Sequence, residues 1–201
     1  MQNYPEGYYT KTPLDYQITE YDCGTTTMLN AIRYLFKRKE ISPAIYREIM
    51  QYTLDVTNKN GEYGKGGTSS NAIDELSDLL NKIGPENGMN IECTDVSNVL
   101  NITDKEFKDE IDNGSIAILR VNQSDEHYVL LTKIDEKYAY LFDPYYLPID
   151  YYDNDDECEI IKDKPFEYNR KVTIDRLISK SNKDFSLVQN ENKQINLIKR
   201  K

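Results

Sequence analysis

The chain holds one histidine, His127, against three cysteines at positions 23, 93 and 158. If sulfur and imidazole act together here, His127 must supply the imidazole. Cys23 lies in Gln17-Ile18-Thr19-Glu20-Tyr21-Asp22-Cys23-Gly24, directly ahead of a helical pattern. His127 lies in Asp125-Glu126-His127-Tyr128-Val129-Leu130-Leu131, and Asp143 follows in Leu141-Phe142-Asp143-Pro144. A thiol at a helix start, an imidazole and a carboxylate are the parts of a thiol nucleophile system. A free thiol titrates near about pH 8.5, and only its thiolate attacks well. A helix N-terminus and an adjacent imidazolium would each stabilise that thiolate. Asp143, accepting from one imidazole nitrogen, would fix which nitrogen faces the sulfur. The Gln17 side chain, with the backbone N–H of Cys23, could form an oxyanion hole. Gly24, lacking a side chain, would let a substrate backbone approach the sulfur.

Taken singly, each of these residues is ordinary. A lone histidine is commonly structural, a buried cysteine packs as a small hydrophobe, and Asp-Pro usually marks a turn. Their order and settings together point to chemistry.

The elements that must position them can be read from periodicity. Residues 1–22 form a tyrosine-rich, irregular lead-in. Met28, Ala31, Ile32, Leu35 and Phe36 fall on one helical face, with Asp22 as N-cap and an end expected near Lys37-Arg38-Lys39. Ser42-Pro43 followed by Ile45, Ile49 and Tyr52 predicts a second helix. Residues 57–67 form a glycine-rich loop beside the expected cleft, and Thr68 or Ser69 caps a third helix closed by Gly84-Pro85. Gly67 and Thr68 at the loop's end, with Asp22 and Gly24, are the expected substrate contacts. A strand is expected at Ile91 and Cys93 and a short helix over 103–112. Strands follow at 116–121, 128–134 and 138–142, with a last one at 194–198. Helices first and antiparallel strands after make an α+β arrangement.

Composition narrows the classes. A length of 201 residues fits one domain, 1–201. A net charge of −10 argues against a nucleic-acid partner. Three scattered cysteines and one histidine give neither a disulfide framework nor a zinc spacing, so no metal and no cofactor is expected. Nothing at Met1–Gly7 reads as a signal peptide and no apolar run is long enough to span a membrane, so a cytoplasmic protein is expected. The run Gly61–Thr68 fails as a phosphate loop, because Lys65 precedes Gly66 instead of Ser or Thr. The acidic stretch 150–159 lacks the spacing of a calcium loop. Cys93 and Cys158 have no nearby histidine or basic cluster in sequence and read as structural.

The segments QITEYDCGTTTMLNAIRYLF, HYVLL and LFDPYY, with GGTSSNAIDELSDLLNKIG between them, resemble the papain-like cysteine peptidases. Within that superfamily they are most similar to the bacteriocin-processing group that cuts double-glycine leader peptides. The resemblance covers about residues 14–147. It implies a papain-like fold, an N-terminal helical part carrying the nucleophile packed on a C-terminal antiparallel sheet. It also implies Cys23 as nucleophile, His127 as base, Asp143 as orienting carboxylate and Gln17 as oxyanion donor. The implied substrate is a peptide cut after small residues such as Gly-Gly, with an exporter or precursor peptide as partner. Leader peptidases of this group usually precede exporter and ATPase domains, which do not follow here. An acyltransferase or amidase using the same residues, and a catalytically idle peptide-binding module, are the alternatives.

Overall fold

The computed structural model describes residues 11–189 and 191–201. The first ten residues of the expected lead-in lie outside the described residues. Residues 11–22 are irregular, as expected, and are tied down at several points. Leu14 N–H donates to the Pro165 carbonyl at 2.8 Å, and Gln17 N–H to the Pro144 carbonyl at 2.9 Å. Asn30 exchanges two hydrogen bonds with the Asp15 backbone.

Three helices follow, α1 (Cys23–Leu35), α2 (Pro43–Tyr52) and α3 (Ser70–Ile83). Ser42 and Ser69 cap the second and third, accepting from Ala44 N–H and Ala72 N–H. Ser42-Pro43 thus performs as read, and Ser69, not Thr68, is the cap of α3. Helix α1 stops before the cations expected to close it. Phe36 is already extended, and Arg38–Glu40 form a separate 3-10 turn. Phe36 is buried at 2% exposure, so its packing, not cation–dipole attraction, sets the helix end.

The remaining elements are β1 (Ile91–Asp95), α4 (Lys105–Asp112), β2 (Ile116–Gln123), β3 (Asp125–Ile134), β4 (Tyr138–Phe142), β5 (Cys158–Ile160), β6 (Arg170–Thr173), α5 (Ile174–Ile178) and β7 (Ile195–Arg200). The seven strands form one antiparallel sheet in the order β1-β7-β2-β3-β4-β6-β5. The architecture is α+β, as expected. Helices do not simply precede strands, however, since β1 comes before α4 and the C-terminal β7 sits between β1 and β2.

Both faces of the sheet are buried. Ile116, Ile118 and Leu130 face a core with Met28, Ile32, Ile49, Ile73 and Leu80 of α1–α3. Ala117, Leu119, Val129 and Leu131 face a second core with Phe107, Ile111, Leu177 and Phe185. A strand covered on both sides needs no polar alternation, which is why the run 116–121 is continuously apolar.

Candidate active site

Cys23 is the first residue of α1, and Asp22 occupies the N-cap position. The Asp22 carboxylate does not cap the helix. It turns back to accept from Ile18 N–H at 3.2 Å, Thr19 N–H at 2.9 Å and Thr19 Oγ1 at 2.8 Å. Its effect is to lock the turn that carries Gln17 toward Cys23. Neither Asp22 nor Gly24 lines the cavities at Cys23. A Cβ at Gly24 would lie 2.7 Å from Thr68 Cβ and Oγ1. The glycine therefore lets α1 pack against the glycine-rich loop; the room it leaves is filled by Thr68.

Helix α1 packs on β3, where Thr27 Oγ1 donates to the Tyr128 carbonyl at 3.0 Å. That contact sets the register between the helix carrying Cys23 and the strand carrying His127. His127 is the third residue of β3, and its ring stands close enough to the Cys23 thiol for each to shift the other's titration. Its Nε2 lies 2.8 Å from Asp143 Oδ1, which leaves Nδ1 for the sulfur. Asp143 is the residue directly after β4 and is fully buried. The three side chains separated in sequence therefore form one row.

Four residues that the sequence did not single out complete it. Arg170 Nη2 stands 3.0 Å from Asp143 Oδ2, and Gln123 Nε2 donates to the same oxygen at 3.3 Å. Asn169 clamps the Asp143 backbone, accepting from its N–H and donating to its carbonyl, both at 2.7 Å. Tyr145 N–H donates to Oδ1 at 2.8 Å. Every lone pair needed to orient the carboxylate is engaged.

The electrostatics follow from burial against partners. Burial alone would push the Cys23 thiol up. The hydrogen bond and charge of His127, with the N–H groups of Tyr128 and Gly24, bring it below its ordinary value instead. Burial likewise opposes the charged form of His127, yet Asp143 and Cys23 raise it to about 10. Burial would raise Asp143, and His127, Arg170 and the Tyr145 N–H hold it below the usual carboxylate range.

Gln17 reaches the same cleft but is partly committed. Its Nε2 donates to the Thr19 carbonyl at 2.7 Å, so one of two amide protons remains, while Oε1 is buried without a partner. Two cavities meet at Cys23. One, of about 500 Å³, is lined by Tyr21, Asn58, Lys65, Gly67, Thr68 and Tyr128. The other, of about 370 Å³, is lined by Gln17, Gln123, His127, Tyr145 and Tyr151. Gly67 and Thr68 thus line the first cavity, and Gly67 has φ +98. The loop before them is well tied, with Gly64 and Gly66 N–H both donating to the Val56 carbonyl and Asp55 binding Ser69.

Among the described residues no group of three or more His, Cys, Asp or Glu could hold a metal ion, and no helix is long and apolar enough to cross a membrane. A thiol beside an imidazole that is itself hydrogen-bonded to a carboxylate suits nucleophilic chemistry by sulfur. The sequence matches the Peptidase_C39 like family over residues 9–173, and the chain belongs to that family, of the cysteine peptidase type. That span is longer than the stretch whose motifs were legible, and takes in β5, β6, Asn169 and Arg170. No curated protein and no solved structure gives a match.

Proposed function

We propose that the chain is a papain-like cysteine peptidase in which Cys23 attacks a peptide carbonyl. The Cys23 thiolate forms an acyl-enzyme, His127 protonates the departing amine, and water then releases the acyl group. Asp143 keeps the imidazole aimed and supports its positive form. The free Gln17 amide proton and the Cys23 backbone N–H are the donors for the developing oxyanion. The single observation that carries this reading is the His127 ring, held 2.8 Å from the buried Asp143 carboxylate and close enough to Cys23 to lower its thiol.

The two cavities then take different halves of the substrate. His127 protonates the leaving amine, so the leaving half occupies the His127-lined cavity. The acyl half occupies the larger cavity beside Gly67 and Thr68, which have substrate-binding roles here; Asp22 and Gly24 hold the frame. One catalytic unit spanning the chain fits the insertion of the C-terminal β7 between β1 and β2. The finer reading, a precursor peptide cut after small residues, rests on the sequence resemblance.

A peptide library incubated with wild type and with Cys23→Ala tests the proposal. Cleavage by wild type alone, with the acyl group ending on water, is the expected result. Cleavage by both would remove Cys23 as nucleophile. Transfer to an added amine in preference to water would favour the acyltransferase.

A further inference from the structure

We propose that Arg170 is a positioning residue: its buried guanidinium neutralises Asp143, holds that carboxylate on His127, and through both maintains the thiolate of Cys23. The inference rests on the thiol chemistry proposed above. Arg170 is 1% exposed and is among the largest fully buried side chains of the protein. Arginine is almost never fully buried unless paired. Its Nη2 faces Asp143 Oδ2 at 3.0 Å and also donates to the Tyr145 carbonyl at 2.8 Å, while Nη1 donates to the Asn169 carbonyl at 3.1 Å. The guanidinium thus grips both the carboxylate and the two backbone segments flanking it.

The four groups form a row of alternating charge: thiolate, imidazolium, carboxylate, guanidinium. Their sum is zero, which is the condition under which so many charges tolerate removal from water. Without the guanidinium the row carries a net negative charge in a buried place, and burial then favours a protonated Asp143. A neutral Asp143 no longer supports the imidazolium, and a neutral imidazole no longer supports the thiolate. The other titratable groups that feel Asp143 are Cys158 and Tyr152, both pushed up by burial and so uncharged. Gln123 and the Tyr145 N–H, the remaining partners of the carboxylate, carry no charge to replace that of Arg170.

The test is the pH dependence of iodoacetamide alkylation at Cys23 in the full chain, for wild type, Arg170→Met and Arg170→Lys. The methionine variant is expected to move the midpoint up by about one pH unit, or about tenfold slower alkylation on the acid side. The lysine variant keeps the charge and is expected to stay within about 0.3 unit of wild type, since a midpoint follows charge more than fork geometry. A folded methionine variant with an unmoved midpoint would overturn the role. Should that variant fail to fold, Arg170→Gln, which keeps hydrogen-bonding groups without the charge, takes its place: a raised midpoint supports the role, and an unmoved one removes it. A wild-type midpoint at the ordinary thiol value would sink the thiol chemistry itself. A low wild-type midpoint that Arg170→Met leaves unchanged would sink only Arg170.

Discussion

Cys23 and Cys93 are buried to nearly the same degree, 8% and 5% exposed, yet their surroundings drive them apart. Cys93 sits in β1, its backbone N–H and carbonyl held by the Asn81 side chain at 2.7 and 2.8 Å. Burial and the carboxylates of Glu92 and Asp78 push its thiol up to about 12. Burial and Asp155 do the same to Cys158, also to about 12, although Arg170 and Arg176 pull the other way. Cys23 suffers a similar loss of water but faces an imidazolium and two backbone donors. The same desolvation that silences a thiol among apolar groups strengthens its attraction to a cation placed beside it. Position relative to charge, not depth, separates the reactive cysteine from the structural ones.

Removing the sulfur is the strongest way to break that contrast. Cys23→Ala should abolish both iodoacetamide labelling near neutral pH and any peptide turnover, with the thermal unfolding midpoint little changed. Labelling that persists would move the reactive thiol elsewhere. Gln17→Ala should lower turnover by about 10²–10³-fold if its amide serves the oxyanion. It should leave alkylation untouched, because iodoacetamide builds no oxyanion; equal losses in both assays would make Gln17 a structural support of Cys23. His127→Ala should leave Cys23 with burial and little to oppose it, like Cys93, and slow alkylation at pH 7 by about 10²-fold. An unchanged rate would deny the ion pair. The smallest effect is expected from Cys93→Ala, with alkylation unchanged and stability lowered by about 1–2 kcal/mol for the lost packing. A changed alkylation rate there would mean the two regions are coupled.

The row of Cys23, His127 and Asp143 was legible because each stands where a periodic pattern begins or ends, and because one histidine leaves no competitor. The buried strand at 116–121 was legible from its unbroken apolar run. Arg170 and Asn169 were not. A buried guanidinium looks in sequence like any surface cation, and its partner lies in a different strand, so only pairing distinguishes the two. The contacts of Gly24 and Asp22 are hidden from the sequence for a related reason. What Gly24 accommodates is Thr68, brought in by loop closure, and what Asp22 binds is the turn before it, a local alternative to capping that Asp commonly takes. Gln17 lies between these cases: its place in the cleft was readable from spacing, its bond to Thr19 was not.

The reactive thiol is tested most directly by alkylating the native protein with iodoacetamide across pH and mapping which cysteine is modified. Cys23 is held low and His127 high, so the ion pair forms as pH rises past the lowered thiol value and survives until the imidazolium is lost near about 10. The expected result is modification of Cys23 alone, already fast in the neutral range. Modification that begins only above pH 9, at about the ordinary thiol value, or that spreads evenly over Cys23, Cys93 and Cys158, would contradict it.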